Sequence, residues 1–500
     1  MSLVEKESSI SQLMASSGVQ FGTSGARGLV SAMSDAICYA YTCAFTQQLT
    51  ASQQLKPGTP IAIAGDLRPS TPRILNAIAA AIQDQLHPVI HCGFIPTPAV
   101  VCYGLHQGYP SIMVTGSHIP DDRNGIKFNT AQGEITKSDE AGMRRQRVTL
   151  PTHLFLDSGL FAPGIPHADC LPVITRDAYK SYVDRYLHFF PPEYLRGKRV
   201  GLYQHSSVGR DLFVDILQGL GAKVIPLGRA NSFISVDTEA VRAEDIVLAR
   251  QWAQEQPLDA IISADGDADR PLVSDEQGEW LRGDIAGVLT AHYLQADVVA
   301  TPVSSNTAVD LCGFFKRVLR TRIGSPYVIA AMQEALRHGI SACVVGYEAN
   351  GGFLTASDIT LENRTLAALP TRDAILVPLA LLALAGAQGV TLSALQTTLP
   401  KRFTSSNRLQ AFATERSQAV ITSLHNDNRA INAAFAHLCG NVVSVDNTDG
   451  LRMTFDNGEI IHLRPSGNAP EFRCYNEAAT AKRALELNRH CMDLLEQWRQ

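Results

Sequence analysis

"KRVGLYQHSSVGRDLFVDILQGLGAKVIPLG" (residues 198–228) sets a strand-like apolar run, a run of helical periodicity and a second strand-like run in succession. "DAIISADGDADR" (259–270) then adds a third run, ending in a loop of alternating aspartates. Strand, helix and strand in this order form the repeating unit of an α/β fold. The same alternation precedes the stretch in "TPIAIAGDLR" (59–68), "PRILNAIAAAIQDQL" (72–86) and "SIMVTGSH" (111–118), and follows it in "DVVATPVSSN" (297–306) and "ACVVGYEANGG" (342–352). Three similar α/β units with largely parallel sheets are expected.

After about residue 390 the pattern changes. "GLRMTFDNGEIIHLRPSG" (450–467) carries an Asp456-Asn457-Gly458 turn between strand-like runs, a hairpin signal, and "TAKRALELNRHCMDLLEQW" (480–498) is helical. The last domain is expected to be α+β and antiparallel. A Pro- and Gly-rich stretch at 150–172 reads as a linker, which leads to domains at 1–155, 170–278, 279–392 and 393–500.

Composition narrows the function classes. The chain has 500 residues, 45% apolar and 18% charged, with a net charge of -5, so it offers no electrostatic footprint for nucleic acid or anionic lipid. The ten cysteines include no CxxC pair, which argues for reduced thiols and a cytoplasmic protein. The start does not read as a secretory signal. "AILVPLALLALAGA" (374–387) is too short to span a bilayer and is expected to be a buried helix.

Five segments could carry chemistry. In "VTGSHIPDDRNGIKF" (114–128) Ser117 sits just beyond a strand's C-terminal end, where open α/β sheets present ligand sites, with His118 and Lys127 nearby in sequence. The pattern is not GxSxG, so an esterase elbow is unsupported. In "DGDADR" the carboxylates of Asp265, Asp267 and Asp269 would repel one another, and a hard divalent cation is the simplest compensation. An EF-hand would put Glu276 at position twelve, but Arg270 stands where that loop requires glycine. "QFGTSGARG" (20–28) offers backbone amides and the fork of Arg27 to an anion. "LRPSGNAPEFRCYNEA" (463–478) gathers Arg464, Ser466, Gly467, Asn468 and Arg473, donors suited to a phosphate dianion. "GYEANGGF" (346–353) presents Glu348 and Asn350, which suit sugar hydroxyls.

In chain order these segments resemble the α-D-phosphohexomutase family, whose motifs are FGTxGxRG, T(A/G)SHNPxxxNGxK, DGDxDR, a sugar loop near GExSG, and RxSGTEP. The resemblance implies four domains around a central cleft, three α/β domains with mixed sheets and a C-terminal α+β domain of the TATA-binding-protein-like type. It further implies a phosphorylated Ser117 that, with Asp265, Asp267 and Asp269, binds one magnesium ion. Arg27, Lys127 and Arg270 would line the reacting centre, with Lys127 or His118 handling the hydroxyl proton. A lysine among other cations is expected to have a lowered pKa. Glu348 and Asn350 would bind the sugar, and Arg464, Ser466, Gly467, Asn468 and Arg473 the phosphate that is not reacting.

The implied reaction interconverts hexose 6-phosphate and hexose 1-phosphate through an enzyme-bound hexose 1,6-bisphosphate, which also serves as activator. The sugar loop lacks the GEQSGH form of phosphoglucosamine mutases, so the resemblance favours mannose, with glucose and glucosamine as alternatives. A silent sugar-phosphate sensor and a metal-dependent phosphatase are the readings from other classes. Sugar phosphates are the expected partners, with no nucleic acid or membrane, and the chain is expected as monomer or homodimer. Three departures stand out. Ile119 replaces an asparagine after Ser-His, Asn468 and Ala469 replace Thr and Glu, and Gly352 stands where some members have histidine.

Overall fold

The computed structural model describes residues 5–22, 25–337, 343–425, 427–466 and 470–499. The chain forms two compact units, one of Met1–Leu294 with Asn350–Ser393 and one of Gln295–Ala349 with Ala394–Gln500.

The first unit holds two α/β layers. In the first, strands run in the order Gln20–Phe21, Ala26–Leu29, Arg123–Thr130, Ser111–Val114, Ile61–Gly65 and Val89–Phe94. Ser111–Val114, Ile61–Gly65 and Val89–Phe94 are parallel, joined through the helices Thr71–Asp84 and Thr97–Gln107. Arg123–Thr130 is antiparallel to its neighbours, so the sheet is mixed rather than largely parallel. The reason is local: the loop over 115–122 is too short for a helical crossover, and the chain can return only antiparallel. Helix Asp35–Ala51 begins at Ser34, whose hydroxyl accepts from the Ile37 N–H, and buries Tyr41, Ala44 and Phe45 among Ile61, Ile63 and Phe128.

The second layer follows the opening stretch. Lys223–Arg229, Arg199–His205 and Ala260–Ala264 are parallel, and Pro271–Ser274 returns antiparallel after the aspartate loop. The linker is strapped to the first layer: Asn76 Nδ2 donates to the His167 carbonyl at 2.7 Å, and its Oδ1 accepts from the Cys170 N–H at 2.9 Å. The apolar helix Leu376–Gln388 is buried from Leu376 to Ala385 and ends at Gly389, whose φ of +67° terminates it in the left-handed conformation.

In the second unit, Arg317–Thr321, Val298–Pro302 and Val344–Tyr347 form parallel strands beside helix Ser325–Arg337. The C-terminal portion is a wholly antiparallel sheet in the order Phe403–Gln410, Glu471–Ala478, Ile460–Pro465, Leu451–Phe455 and Val442–Asp446. The expected hairpin is present, closed by Gly458 at φ +80°, whose N–H donates to the Phe455 carbonyl at 2.9 Å. Helix Ala481–Arg499 lays Leu487, Cys491 and Leu495 into the core of Phe412, Phe455 and Phe472. None of the ten cysteines forms a disulfide. No helix among the described residues is long and apolar enough to cross a membrane.

Candidate active site

The loop after strand Ser111–Val114 is built around a residue outside the five segments. Arg68 is fully buried and paired with Asp66 at 3.1 Å. Its guanidinium donates to the carbonyls of Ser117 (2.9 Å), Ile119 (2.6 Å) and Pro120 (2.9 Å). Gly116 makes room for it, since a Cβ there would fall 2.6 Å from Arg68 Cζ. Ser117 itself has φ +57°, a conformation costly for a residue with a side chain, held by its N–H donating to Thr115 Oγ1 at 2.7 Å. Ile119 thereby finds an explanation: the loop is braced through main-chain carbonyls, and no side-chain amide at 119 is needed.

The Ser117 hydroxyl donates to Asp265 Oδ2 at 2.6 Å across 148 residues of sequence. Asp265, Asp267 and Asp269 are all fully buried, and one oxygen from each lies within 4.8 Å of the others. Asp265 Oδ1 accepts from the N–H groups of Asp269 and Arg270, at 3.2 and 3.1 Å. Asp267 Oδ2 accepts from Thr97 Oγ1 at 2.5 Å. Lys127 Nζ bridges Asp267 Oδ2 and Asp269 Oδ2, both at 2.6 Å. Oδ1 of Asp267 and Oδ1 of Asp269 are buried without a hydrogen-bond donor. Three hard oxygen donors, two with an unsatisfied atom, fit a divalent cation of the magnesium or manganese kind.

The electrostatics follow from this crowding. Burial, together with Asp267 and Asp269, pushes the Asp265 carboxyl well above the usual range. Burial would raise Asp269 too, but Arg372, Lys127 and Arg270 outweigh it and hold that carboxyl low. The expectation of a lowered lysine pKa fails in this arrangement. Burial alone would lower Lys127, yet Asp267 and Asp269 outweigh it, and the ammonium is held above its ordinary value. Burial and the charges of Arg270 and Arg27 pull His118 down to about 2, so the ring is neutral, and its Nδ1 accepts from Arg270 Nη1 at 2.7 Å. Burial, with Arg270 and Arg372 close by, brings Arg27 down to about 10.

Of the candidate residues, Ser117, His118, Lys127, Arg270 and the three aspartates thus converge in the first unit. Asn350 lies in the same unit, its carbonyl accepting from Thr238 Oγ1 at 2.7 Å and its Oδ1 from the Gly352 N–H at 2.9 Å. Glu348 is buried in the second unit. Arg464, Ser466 and Arg473 also belong to the second unit. Arg464 Nε donates to Asp449 at 2.9 Å, Arg473 Nη2 to Glu471 at 3.2 Å, and the Ser466 N–H to the Glu471 carbonyl at 2.9 Å. Gly467 and Asn468 lie outside the described residues. Arg68, Thr97 and Arg372 were not foreseen: each lies in an ordinary-looking stretch, and only the fold brings it to the site.

Comparison with known proteins agrees with this geometry. The chain matches the descriptions "Phosphoglucomutase/phosphomannomutase, alpha/beta/alpha domain I" over residues 18–146, "domain II" over 180–278 and "domain III" over 282–403. It is 44% identical to a phosphomannomutase of Salmonella muenchen over 94% of each chain. It is 41% identical to one of Sinorhizobium fredii over 92% of this chain and 95% of that one. A crystal structure of a phosphoglucomutase/phosphomannomutase family protein from Burkholderia thailandensis shares the fold, with a TM-score of 0.70 at 17% identity over 95% and 96% of the two chains. With its serine hydroxyl set against three buried aspartates, the chain belongs to the phosphoglucomutase/phosphomannomutase family of α-D-phosphohexomutases.

Proposed function

We propose that the protein is a phosphomannomutase that interconverts mannose 6-phosphate and mannose 1-phosphate by way of phosphorylated Ser117 and a bound hexose 1,6-bisphosphate. The observation that carries this reading is the Ser117 hydroxyl held 2.6 Å from Asp265 within a ring of carboxylates and cations. The choice of sugar is supported by the 44% and 41% identity with two phosphomannomutases.

In the first half-reaction the P–O bond to Ser117 Oγ breaks and one to the free sugar hydroxyl forms. The sugar hydroxyl gives up one proton and Ser117 Oγ gains one. His118 is neutral with Nδ1 engaged by Arg270, so Lys127 is the better candidate for handling that transfer: held as an ammonium by Asp267 and Asp269, it gives a proton to the departing Ser117 Oγ and takes the sugar hydroxyl's proton in exchange. Arg27 and Arg270 offset charge on the equatorial oxygens of a loose transition state. Asp265, Asp267 and Asp269 would hold a magnesium ion, which would supply further charge compensation there. Arg464, Ser466 and Arg473 serve the phosphate that is not reacting, and Glu348 and Asn350 the sugar hydroxyls. In the second half-reaction the bisphosphate presents its other phosphate to Ser117. The enzyme works in the cytoplasm on small sugar phosphates, as monomer or homodimer, with hexose 1,6-bisphosphate as activator.

A coupled assay with mannose 1-phosphate, glucose 1-phosphate and glucosamine 1-phosphate, magnesium and catalytic hexose bisphosphate tests the reading. Isomer formation fastest from mannose 1-phosphate is expected. Release of free phosphate without isomer would make the protein a phosphatase, and no turnover of any substrate would make it a sensor.

A further inference from the structure

The aspartate loop is held from outside by a residue that belongs to none of the five segments. Arg372 is 2% exposed, its Nε donates to Asp269 Oδ2 at 3.1 Å, and its Nη2 lies 2.9 Å from the same oxygen. Lys127 also contacts that oxygen, while Oδ1 of Asp269 has no hydrogen-bond donor. Asp269 is therefore gripped by one oxygen, while the other has only the looser ion pair with Arg270 Nε at 3.7 Å.

The main chain carrying Arg372 is fixed on both sides. Thr371 Oγ1 donates to Glu134 Oε1 at 2.8 Å. Asp373 is buried, accepts from Tyr182 OH at 2.5 Å and from Tyr186 OH, and donates its N–H to the Phe353 carbonyl at 2.9 Å. Helix Asp177–Phe189, which supplies both tyrosines, thus anchors the segment from which Arg372 projects.

The methylene stem of Arg372 has a second contact. A Cβ on Gly352 would fall 2.5 Å from Arg372 Cδ and 2.8 Å from Cγ. Gly352 does not adopt a left-handed φ, so the absent side chain, and not backbone freedom, is what this position uses. A histidine at 352, as in some family members, would collide with the stem. The two positions are coupled by volume.

We propose that Arg372 is a positioning residue of the reacting centre, pinning Asp269 in the orientation a divalent cation requires while its stem sets the sugar loop at Asn350–Gly352. The proposal rests on the mutase reading above. If Lys127 leaves Asp269 to serve the reacting oxygen, Arg372 is the contact that keeps the carboxylate from turning, the part played by partners behind metal-ligating side chains generally.

The test is a double-mutant cycle of Arg372→Ala and Gly352→Ala in the full chain, read by calorimetric Mn2+ binding and by kcat and KM separately. Each single variant is expected to weaken Mn2+ binding by about 10-fold and to lower kcat more than it raises KM. The double variant should be no worse than Arg372→Ala, because the alanine at 352 then meets vacated space. Arg372→Lys, which keeps stem and charge but not the fork, should recover part of the Mn2+ affinity. Unchanged Mn2+ affinity in folded Arg372→Ala, or strictly additive effects in the cycle, would overturn the proposal. Should Arg372→Ala not fold, Gly352→Ala alone decides: its Cβ would meet Arg372 Cδ and Cγ and, at 3.1 Å, Asn350 Oδ1, and of these two side chains Arg372 is the one that contacts Asp269. Because Mn2+ binding is read without turnover, a wild-type chain that binds Mn2+ but converts no hexose phosphate overturns the mutase reading and leaves the cycle to judge Arg372.

Discussion

Arg464 and Arg473 are register partners on neighbouring antiparallel strands, and Arg408 is the partner of Arg473 on the strand beyond. Paired positions share a face of the sheet, so three guanidinium groups stand in one row, an arrangement that like-charge repulsion disfavours. Asp449 and Glu471 offset part of it. A phosphate dianion would offset the rest. Inorganic phosphate is therefore expected to raise the thermal midpoint of the wild type more than that of Arg473→Ala. In that variant KM for hexose phosphate should rise by about tenfold or more, the worth of a hydrogen bond to a charged group, with kcat less affected. Equal phosphate-induced shifts in the two proteins would remove Arg473 from the residues proposed to hold the phosphate that is not reacting.

Ser117→Ala removes the only hydroxyl that donates to the Asp265 carboxylate among the described residues. Intact-protein mass should show a phosphoryl adduct on the wild type and none on the variant. Turnover should fall by roughly a thousandfold or more, as for loss of a covalent carrier. Wild-type turnover in the variant would mean that the phosphoryl group travels by another route.

Lys127 is 7% exposed and holds two fully buried carboxylates together. Lys127→Met takes the ammonium from both carboxylates and leaves Asp269 to its arginines alone, so the metal-free variant should lose about 3–5 kcal/mol of stability. Magnesium should restore more stability to the variant than it adds to the wild type, because the ammonium no longer competes for Asp267 and Asp269. Urea unfolding with and without magnesium measures both; an equal gain in the two proteins would count against the competition.

His462 is 1% exposed, its Nε2 donates to the Asp449 carbonyl at 2.6 Å, and its Nδ1 has no partner. Burial pulls its pKa from 6.5 down to about 4. Between those values the unfolded chain binds a proton that the folded chain refuses, so stability is full above 6.5 and falls as pH drops toward 4. For this one group the loss from pH 7 to pH 5 is about 2 kcal/mol. His462→Gln should lose that much less over the same interval in urea titrations of the C-terminal sheet. A variant as acid-sensitive as the wild type would refute the assignment.

Fold class was legible because strand and helix periodicities alternate cleanly from Pro60 to Tyr347, and because Asp456-Asn457-Gly458 is a hairpin turn by its chemistry alone. The antiparallel return at Arg123–Thr130 could be inferred only from the length of the loop before it. Ser117 and the Asp265, Asp267 and Asp269 loop were legible as candidates because each group is local in sequence. Arg68 and Arg372 were not, since their partners lie 49 to 52 and 103 residues away, respectively, and nothing in "DLRPS" or "PTRDA" distinguishes them from surface arginines. The raised pKa of Lys127 was missed for a related reason. The neighbours that decide it come from the aspartate loop, 140 and 142 residues on.

The grip of Arg68 on three carbonyls of the serine loop bears on what would happen if the proposed phosphoserine cycle were interrupted. Its hydrogen bonds go to main-chain atoms whose character does not change with the state of the Ser117 side chain. The left-handed turn is thus kept in shape with the serine bare, and Ser117 Oγ stays aimed at Asp265. An enzyme that lost its bisphosphate before the second transfer would be stranded without its phosphoryl group but not misfolded. A single encounter with fresh hexose bisphosphate could recharge it without any reordering of the loop.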